Sequence, residues 1–322
     1  MRAEKPRPIE RRPSGCDNEA MAGPVTVFDR SAVRRRRERS ARLDERATFL
    51  HDEIAERLAD RLDDFDRVFP RVLVLGALSD RLCGLVAARA GVELVAVADA
   101  AEALAKGRTG MAVVADEEAI PFAPGSFDLV LAALSLHAVN DLPGALAQIR
   151  RILVADGLFL AGLFGGGTLR ELRRALLEAE SEIAGGASPR VAPFADTRDA
   201  GALLQRAGFA LPVADNDTIS VTWPDALALM RDLRAMGEAN ALAARSRGPT
   251  RRAVFAAAAA RYRSLFGDAE GRIPATFEIL FLTGWAPSAD QQRPLRPGSA
   301  AARLAEALGT EERSAGERAG EG

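Results

Sequence analysis

The stretch RVLVLGALSD (71–80) decides the fold of this chain. Its first half is a continuous aliphatic run, typical of a buried strand, and it ends at Gly76. The residues that follow, DRLCGLVAARA (80–90), predict a helix. A strand, a tight turn at a glycine and then a helix begin many nucleotide-binding α/β domains. The further glycines of such a loop are missing, because Leu78 and Asp80 stand where small residues belong.

Downstream of this unit, apolar runs alternate with helical segments. Strands are predicted at 93–99, 111–116, 127–134 and 157–164, and helices at 142–153 and 168–183. Apolar strands separated by helices are typical of a parallel sheet covered on both faces, and right-handed crossovers then give a doubly wound fold. After residue 186 the pattern changes to helices at 199–209, 225–242 and 251–266 and strands at 217–223 and 275–287. We predict an α/β, Rossmann-like, seven-stranded and mostly parallel sheet with helices on both faces and a helical insertion near the C-terminus.

Sequence composition also divides the chain. Residues 1–24 and 289–322 are rich in charged residues, Pro and Gly and predict disordered extensions, and Met21 is an alternative candidate for the translation start. A helical arm is expected at 25–69, where an apolar stripe at helical spacing runs up to Pro70. The main domain is then predicted at 70–288, with its helical insertion at about 225–266.

Composition excludes several classes of function. The net charge of −2 over 322 residues argues against a general nucleic-acid binder. Two distant cysteines, Cys16 and Cys83, form no disulfide framework, which fits a reducing cytoplasm. With His51 and His137 as the only histidines, we expect no zinc or haem site, and no other metal site is predicted. No apolar run approaches the ~20 residues of a membrane helix. The basic residues are almost all arginine, which suggests a GC-rich bacterial source.

A longer stretch, VVADEEAIPFAPGSFDLVLAALSLHAVNDLPGALAQIRRILVADGLFLAGLF (113–164), resembles class I S-adenosylmethionine (SAM) dependent methyltransferases. The run GGGTLRELRRALLEAESEIAGGASPRVAPFADTRDAGALLQRAGF (165–209) is similar to the malonyl-carrier-protein O-methyltransferases of biotin synthesis. It is closer still to methyltransferase-like assembly factors of respiratory complex I, as are LMRDLRAMGEANAL (229–242) and IPATFEILFLTGWAP (273–287). The resemblance covers roughly residues 25–298.

This resemblance implies an enzyme with SAM as cofactor. The methyl acceptor would be a small molecule, a carrier protein or a protein subunit. The alternative is a complex I assembly factor of the same fold, in peripheral contact with a membrane complex, with weak, lost or different activity, for example arginine hydroxylation.

The resemblance also implies cofactor-binding residues at the carboxyl ends of the first four strands. Gly76 and Ala77 would let the backbone approach the cofactor at the start of a helix. Asp99, followed by Ala100, would accept hydrogen bonds from the ribose hydroxyls, although an Asp in such a position often only caps a helix.

Four further residues complete the predicted site. Asp116 and Glu117 would contact the adenine, and Leu134 lies at the end of the fourth strand beside the cofactor. His137 follows that strand and would position the acceptor or act as a general base. The plainer interpretation of His137 is a polar loop residue packed over the cofactor.

The loop at 74–80 departs from the pattern of the family. Val74 replaces an acid, and Leu78 and Asp80 replace glycines. The Leu78 side chain is expected to crowd the backbone, and Asp80 to bring a negative charge near the cofactor's carboxylate. SAM binding should therefore be weakened, but not abolished, because Asp99 and Asp116 remain.

Three other features give expectations. The run RRRR (34–37) predicts a solvated helix that faces a partner, such as an acidic carrier protein or an anionic membrane surface. Asn140 and Asp141 are expected to cap the helix at 142–153 together. Tyr262 and Arg263 are expected to belong to a lid that determines acceptor specificity.

Overall fold

The computed structural model describes residues 26–43, 48–76, 78–291 and Gly309. The chain forms two compact units, 1–286 and 287–322. All elements named below belong to the first unit. The predicted disordered extensions lie outside the described residues, apart from 289–291 and Gly309.

The first unit alternates helices and strands along its length. The helices are α1 (Arg30–Ser40), α2 (Phe49–Asp63), α3 (Arg81–Ala87), α4 (Glu102–Lys106), α5 (Leu142–Ile152), α6 (Arg170–Ala184), α7 (Thr197–Arg206), α8 (Ala226–Ala235) and α9 (Arg252–Phe266). The strands are β1 (Arg71–Leu75), β2 (Leu94–Asp99), β3 (Met111–Val114), β4 (Phe127–Ala133), β5 (Leu153–Phe164), β6 (Ala210–Trp223) and β7 (Ile273–Trp285). A short 3-10 turn, Leu136–Ala138, follows β4. None of the described helices is long and apolar enough to cross a membrane.

The strands form one seven-stranded sheet in the order β3-β2-β1-β4-β5-β7-β6. The pairings from β3 through β5 are parallel, whereas β7 pairs antiparallel with both β5 and β6. The chain leaves β1 toward β2 on one side and returns as β4 on the other side. Open α/β sheets bind ligands in the crevice beside such a switch point. The predicted fold class, including the inserted α8 and α9 between β6 and β7, is confirmed.

An apolar core lies on each face of the sheet. One core includes Leu50, Ile54 and Leu58 of α2 together with buried residues of α6, α8 and α9. The other core includes Ile149 of α5 and Leu204 of α7. Burial on both faces explains why the central strands are continuous apolar runs.

Two predicted elements differ most in length from those in the structure. The helix predicted over 225–242 ends at Ala235, because Gly237 adopts the left-handed conformation (φ +81°) and turns the chain out of the helix. The last-but-one strand begins at Ala210 rather than at 217. Its polar, proline-containing first half resembles a loop in sequence, and an edge strand tolerates that composition.

Candidate cofactor and acceptor site

A cavity of about 880 Å³ opens beside the switch point of the sheet. Its walls come from α1, the turn after β4, the end of β5, α6, α8 and the segments 190–194 and 237–247. Among the predicted site residues, Glu117, Leu134 and His137 line this cavity. The other described ones, Gly76, Asp99, Ala100 and Asp116, are not part of its wall, and Ala77 lies outside the described residues.

Gly76 forms the tight turn that its sequence position predicts. It has φ +80°, and its N–H donates to Ala98 O at 3.0 Å. A Cβ at this position would lie 2.5 Å from Ser135 Cβ. Both the backbone conformation and the close approach to the end of β4 therefore require glycine here.

Asp99 ends β2 as predicted, but its carboxylate is already engaged by α1. The side chain is fully buried, and Arg37 donates from Nε to Oδ1 at 3.2 Å and from Nη2 to Oδ2. Ala101 N also donates to Oδ1, at 2.8 Å. Burial alone would lower the pKa of Arg37, but the charge of Asp99 outweighs that effect and raises it. The capping alternative for Asp99 does not hold, because the N-cap of α4 is Ala101.

The prediction that residues 34–37 are all solvated was therefore wrong for Arg37. Its side chain is only 6% exposed and crosses from α1 to the buried end of β2. The sequence run is uniform, but helical geometry turns its last member inward.

The acids after β3 are held by a second arginine of α1. Arg30 Nη2 bonds Asp116 Oδ1 at 2.6 Å and also bonds Glu117 Oε2, while Nη1 donates to Ala138 O at 2.9 Å. Burial raises the pKa of Glu117, although Arg30 and Arg37 act in the opposite direction. Arg30 thus joins the predicted adenine side of the site to the turn that carries His137.

Asn140 fixes the start of the arm instead of sharing the cap of α5. Its Oδ1 accepts from Val27 N and Phe28 N, both at 2.8 Å. Asp141 alone caps α5, accepting from Gly144 N at 2.8 Å. The expectation of a paired cap was therefore wrong for Asn140.

In the loop after β1, Leu78 and Asp80 are both directed away from the site where they were expected to disturb cofactor binding. Leu78 is buried in the apolar core. The Asp80 carboxylate accepts from Thr109 N at 2.7 Å and from Thr109 Oγ1 at 2.8 Å. These bonds direct its charge toward the connection between β2 and β3.

His137 lies in the cavity wall with its ring clamped on several sides. Its Nε2 is 3.1 Å from Glu238 Oε2. The rings of Phe164 and Phe194 pack against the imidazole with centroids 4.6 and 5.6 Å away. Its Nδ1 is shielded from water and has no hydrogen-bond partner among the described residues. Glu238 was not predicted as a site residue. The local sequence marks only the end of α8, through the preceding Gly237.

The mouth of the cavity is electropositive. Four arginines that line it have no carboxylate partner within the described part of the chain: Arg35, Arg36, Arg234 and Arg247. Partial burial, and then the charge of Arg245, lower the pKa of Arg36 to about 10. No sequence pattern groups α1 with Arg234 and Arg247, which follow it by about two hundred residues.

Both inserted helices, α8 and α9, contribute to the cavity wall. Met230, Leu233 and Arg234 of α8 and Phe255 of α9 line it. Tyr262 is fully buried, and its O–H donates to Pro274 O at 2.8 Å. Tyr262 is therefore part of the core, and neither Tyr262 nor Arg263 lines the cavity. No group of three His, Cys, Asp or Glu that could hold a metal ion occurs within the described ranges.

The residues at the strand ends offer the hydrogen-bonding groups that SAM needs, provided that Asp99 is accessible to the ribose. Ribose hydroxyls need buried hydrogen-bond acceptors, which Asp99 supplies, and Leu134 at φ +49° places backbone at the cavity wall. Because the Asp99 oxygens already accept from Arg37 and Ala101, ribose hydroxyls can bind there only if Arg37 shares or leaves the carboxylate.

Comparison with known proteins identifies relatives over most of the chain. The model of a methyltransferase domain matches residues 73–161. The chain is 41% identical to the mitochondrial arginine-hydroxylase NDUFAF5 of Homo sapiens, over 89% of this chain and 85% of that protein. For the protein of the same name from Danio rerio the identity is 39%, over 86% and 88%.

A second group of relatives is named for a different reaction. The malonyl-[acyl-carrier protein] O-methyltransferase of Laribacter hongkongensis is 36% identical over 84% of this chain and 94% of that protein. Since both groups match nearly the whole folded chain, the chain belongs to the class I SAM-dependent methyltransferase superfamily, in the family that includes the arginine-hydroxylases NDUFAF5 and the malonyl-[acyl-carrier protein] O-methyltransferases.

Proposed function

We propose that this protein binds SAM at the carboxyl ends of β1 to β4 and transfers its methyl group to an anionic acceptor that enters through the arginine-lined mouth. The observation that carries the proposal is an arginine-lined cavity whose wall includes Glu117 and Leu134 of the predicted cofactor site, while Asp99 and Asp116 lie outside that wall. Carboxylates at the ends of β2 and β3 suit the neutral hydroxyls and adenine of the cofactor. The four arginines that have no carboxylate partner among the described residues suit an acidic acceptor.

Charge also bears on which group of relatives is the better guide. An arginine side chain, the group named in the hydroxylase relatives, would enter past like charges at Arg36, Arg234 and Arg247. An acidic acceptor, such as an acyl carrier protein, would meet complementary charges instead. The mouth therefore favours the methyl-transfer function over action on arginine.

Methyl transfer from a sulfonium needs orientation and exclusion of water more than a protein nucleophile. Asp99 and Asp116 would hold the ribose and adenine, and the left-handed Leu134 would place its backbone beside the cofactor. Phe164 and Phe194 keep the inner wall of the cavity apolar. When bound, SAM supplies an activated methyl group at this wall.

The second candidate is an assembly factor that retains the fold but transfers methyl groups weakly or not at all. Its support is the identity to the NDUFAF5 proteins over most of both chains, together with the replaced glycines at Leu78 and Asp80. In this case the arginines of α1 would face a subunit of a membrane complex.

A binding titration tests the proposal. We expect the purified protein to bind SAM and its demethylated product, S-adenosylhomocysteine, with Asp99→Asn weakening both at least tenfold. A matched control is Asp215→Asn, a carboxylate on the remote edge strand β6. No detectable binding at millimolar cofactor would refute the methyltransferase function.

If the cofactor binds, a gene deletion separates the two candidates. Normal complex I activity is the result expected for a methyltransferase, and biotin auxotrophy would add that its acceptor is a malonyl-loaded carrier protein. Loss of respiratory complex I activity without biotin auxotrophy would instead select the assembly role.

A further inference from the structure

The chain has only two histidines, and Glu238 lies near both of them. His137 is bonded to it directly, and the electrostatic influence of Glu238 reaches the buried His51. Burial of Glu238 would raise its pKa, but His137, His51 and Arg37 outweigh this effect and lower it. Glu238 therefore remains a carboxylate, which can only accept hydrogen bonds.

We propose that Glu238 is the positioning residue of His137, holding its Nε2–H so that Nδ1 takes a proton or a hydrogen bond from the methyl acceptor. A carboxylate 3.1 Å from Nε2 requires the proton on that nitrogen, which leaves Nδ1 with a free lone pair. Nδ1 is also the ring atom that lacks a partner among the described residues. A buried acceptor without a donor is unfavourable, and a ligand that donates a hydrogen bond to it removes that penalty.

Because Nδ1 is shielded from water, an acceptor reaches it only if a neighbouring side chain moves. Phe164 ends β5 and is 2% exposed, so it belongs to the fixed wall. Phe194 is only partly buried and lies in the segment that connects α6 and α7. An acceptor that enters from the cavity would displace Phe194 and take its place against the imidazole.

The His137–Glu238 pair also indicates which group of the acceptor reacts. This step rests on the proposed function, which supplies SAM as the methyl donor. A hydroxyl or amine acceptor loses its proton to Nδ1 while its lone pair forms the new bond to the methyl carbon. The methyl–sulfur bond breaks with its electron pair going to sulfur, and His137 later releases the proton to water. A carboxylate acceptor has no proton to lose and makes no use of this dyad. The structure thus assigns an acceptor with an acidic body and a hydroxyl or amine as the reacting group.

Nitrogen-15 NMR of the full chain with labelled histidine tests the positioning role without turnover. Because the chain has two histidines, the signals that disappear in His51→Gln belong to His51 and those that remain belong to His137. We expect His137 to show an Nε2–H protected from exchange and an unprotonated Nδ1. Glu238→Gln should keep that protected proton, because its amide oxygen accepts the same bond, whereas Glu238→Leu should lose it.

The absence of a protected proton in the wild type, or its persistence in Glu238→Leu, would overturn the assignment. If Glu238→Leu does not fold, the wild-type and Glu238→Gln spectra still decide it. A SAM titration of the same variants separates the two proposals. Failure of the wild type to bind SAM refutes the proposed function, while the ring spectrum still reports on Glu238.

Two probes on one acyl carrier protein test the reacting group. A 3-hydroxypropanoyl carrier presents a hydroxyl, and a malonyl carrier of the same length presents a carboxylate. We expect methyl transfer to the hydroxyl probe, reduced at least about 100-fold in His137→Asn, the scale of general base catalysis. Transfer to the malonyl probe alone, transfer to neither probe, or an unchanged rate in His137→Asn would overturn the assigned acceptor class.

Discussion

Helix α1 carries two sets of arginines that differ in burial and in bonding partners. The inner set, Arg30 and Arg37, is largely buried and bonded to the acids at the ends of β2 and β3. The outer set includes Arg35 and Arg36, which line the cavity mouth with no carboxylate partner in the described ranges. The inner set occupies the carboxylates at the strand ends where we propose that the cofactor binds, and the outer set adds positive charge to the cavity lining.

We infer from this difference that the arginines of α1 have two separate roles. A buried pair stabilises the fold only as long as both partners are present. An exposed charge contributes little to folding and acts mainly in attracting and selecting a partner. Substitutions in the two sets should therefore change different measured quantities.

The largest effect is expected from Arg37→Ala. Removing one partner of a buried ion pair leaves the Asp99 charge uncompensated and should lower the free energy of unfolding by about 3–5 kcal/mol. Urea denaturation measures this loss. The matched control is Arg39→Ala, an exposed residue of the same helix, which should change stability by less than about 0.5 kcal/mol. Equal stability of the two variants would abolish the distinction between inner and outer arginines.

A pH-dependent effect is expected at His51, which is buried beside the inner set. Burial, with Arg37 and His137 adding to it and Glu238 opposing it, lowers the pKa of His51 from 6.5 to about 4. Between these values the unfolded chain binds more protons than the folded chain, so stability falls as the pH falls from 6.5 to 4. The full effect is about 3 kcal/mol.

The variant His51→Leu removes this titration and two ring nitrogens that have no partner among the described residues. Its stability relative to the wild type should therefore increase steadily as the pH is lowered through that window. Denaturation at several pH values measures the difference. A constant difference between the two proteins would show that His51 is not a buried neutral ring.

A smaller effect, on binding rather than stability, is expected at the mouth. The double variant Arg234→Glu/Arg247→Glu should weaken the binding of an acidic acyl carrier protein at least about tenfold and reduce its salt dependence. The control Arg206→Glu lies on α7, which packs on the other face of the sheet. Unaltered carrier binding in the double variant, or equal loss in the control, would contradict a docking role for the mouth.

The smallest effect is expected from Asp80→Asn. Because the Asp80 carboxylate is bonded by Thr109, its charge should have little influence on the cofactor, and SAM affinity should change less than about threefold. Calorimetric titration measures the affinity. A tenfold gain would restore the expectation that this acid repels the carboxylate of the cofactor.

The sheet could be predicted because local patterns determine it. The apolar runs that become β1, β2, β4 and β5 are buried on both faces, and Gly76 is required by its own backbone angle. Strand β6 was predicted too short, because an exposed edge strand lacks that apolar signal.

The partners of the site residues could not be predicted in the same way. Arg37 and Asp99 lie 62 positions apart, and His137 and Glu238 lie 101 positions apart. No periodicity or motif spans such separations, so only the fold brings these groups together. The roles proposed for Asp99, Asp116 and His137 stay predictions that rest on their position at the strand ends.

Hydrogen exchange with and without S-adenosylhomocysteine tests the central claim most directly, since it locates the cofactor and α1 together. The claim predicts increased protection at the ends of β1, β2 and β4, with a change in α1 as the cofactor competes with Arg37 for Asp99. Exposed residues of α7 serve as the internal reference and should not change. Binding that leaves α1 and these strand ends unaltered would contradict the claim that the cofactor binds at the strand ends that α1 occupies.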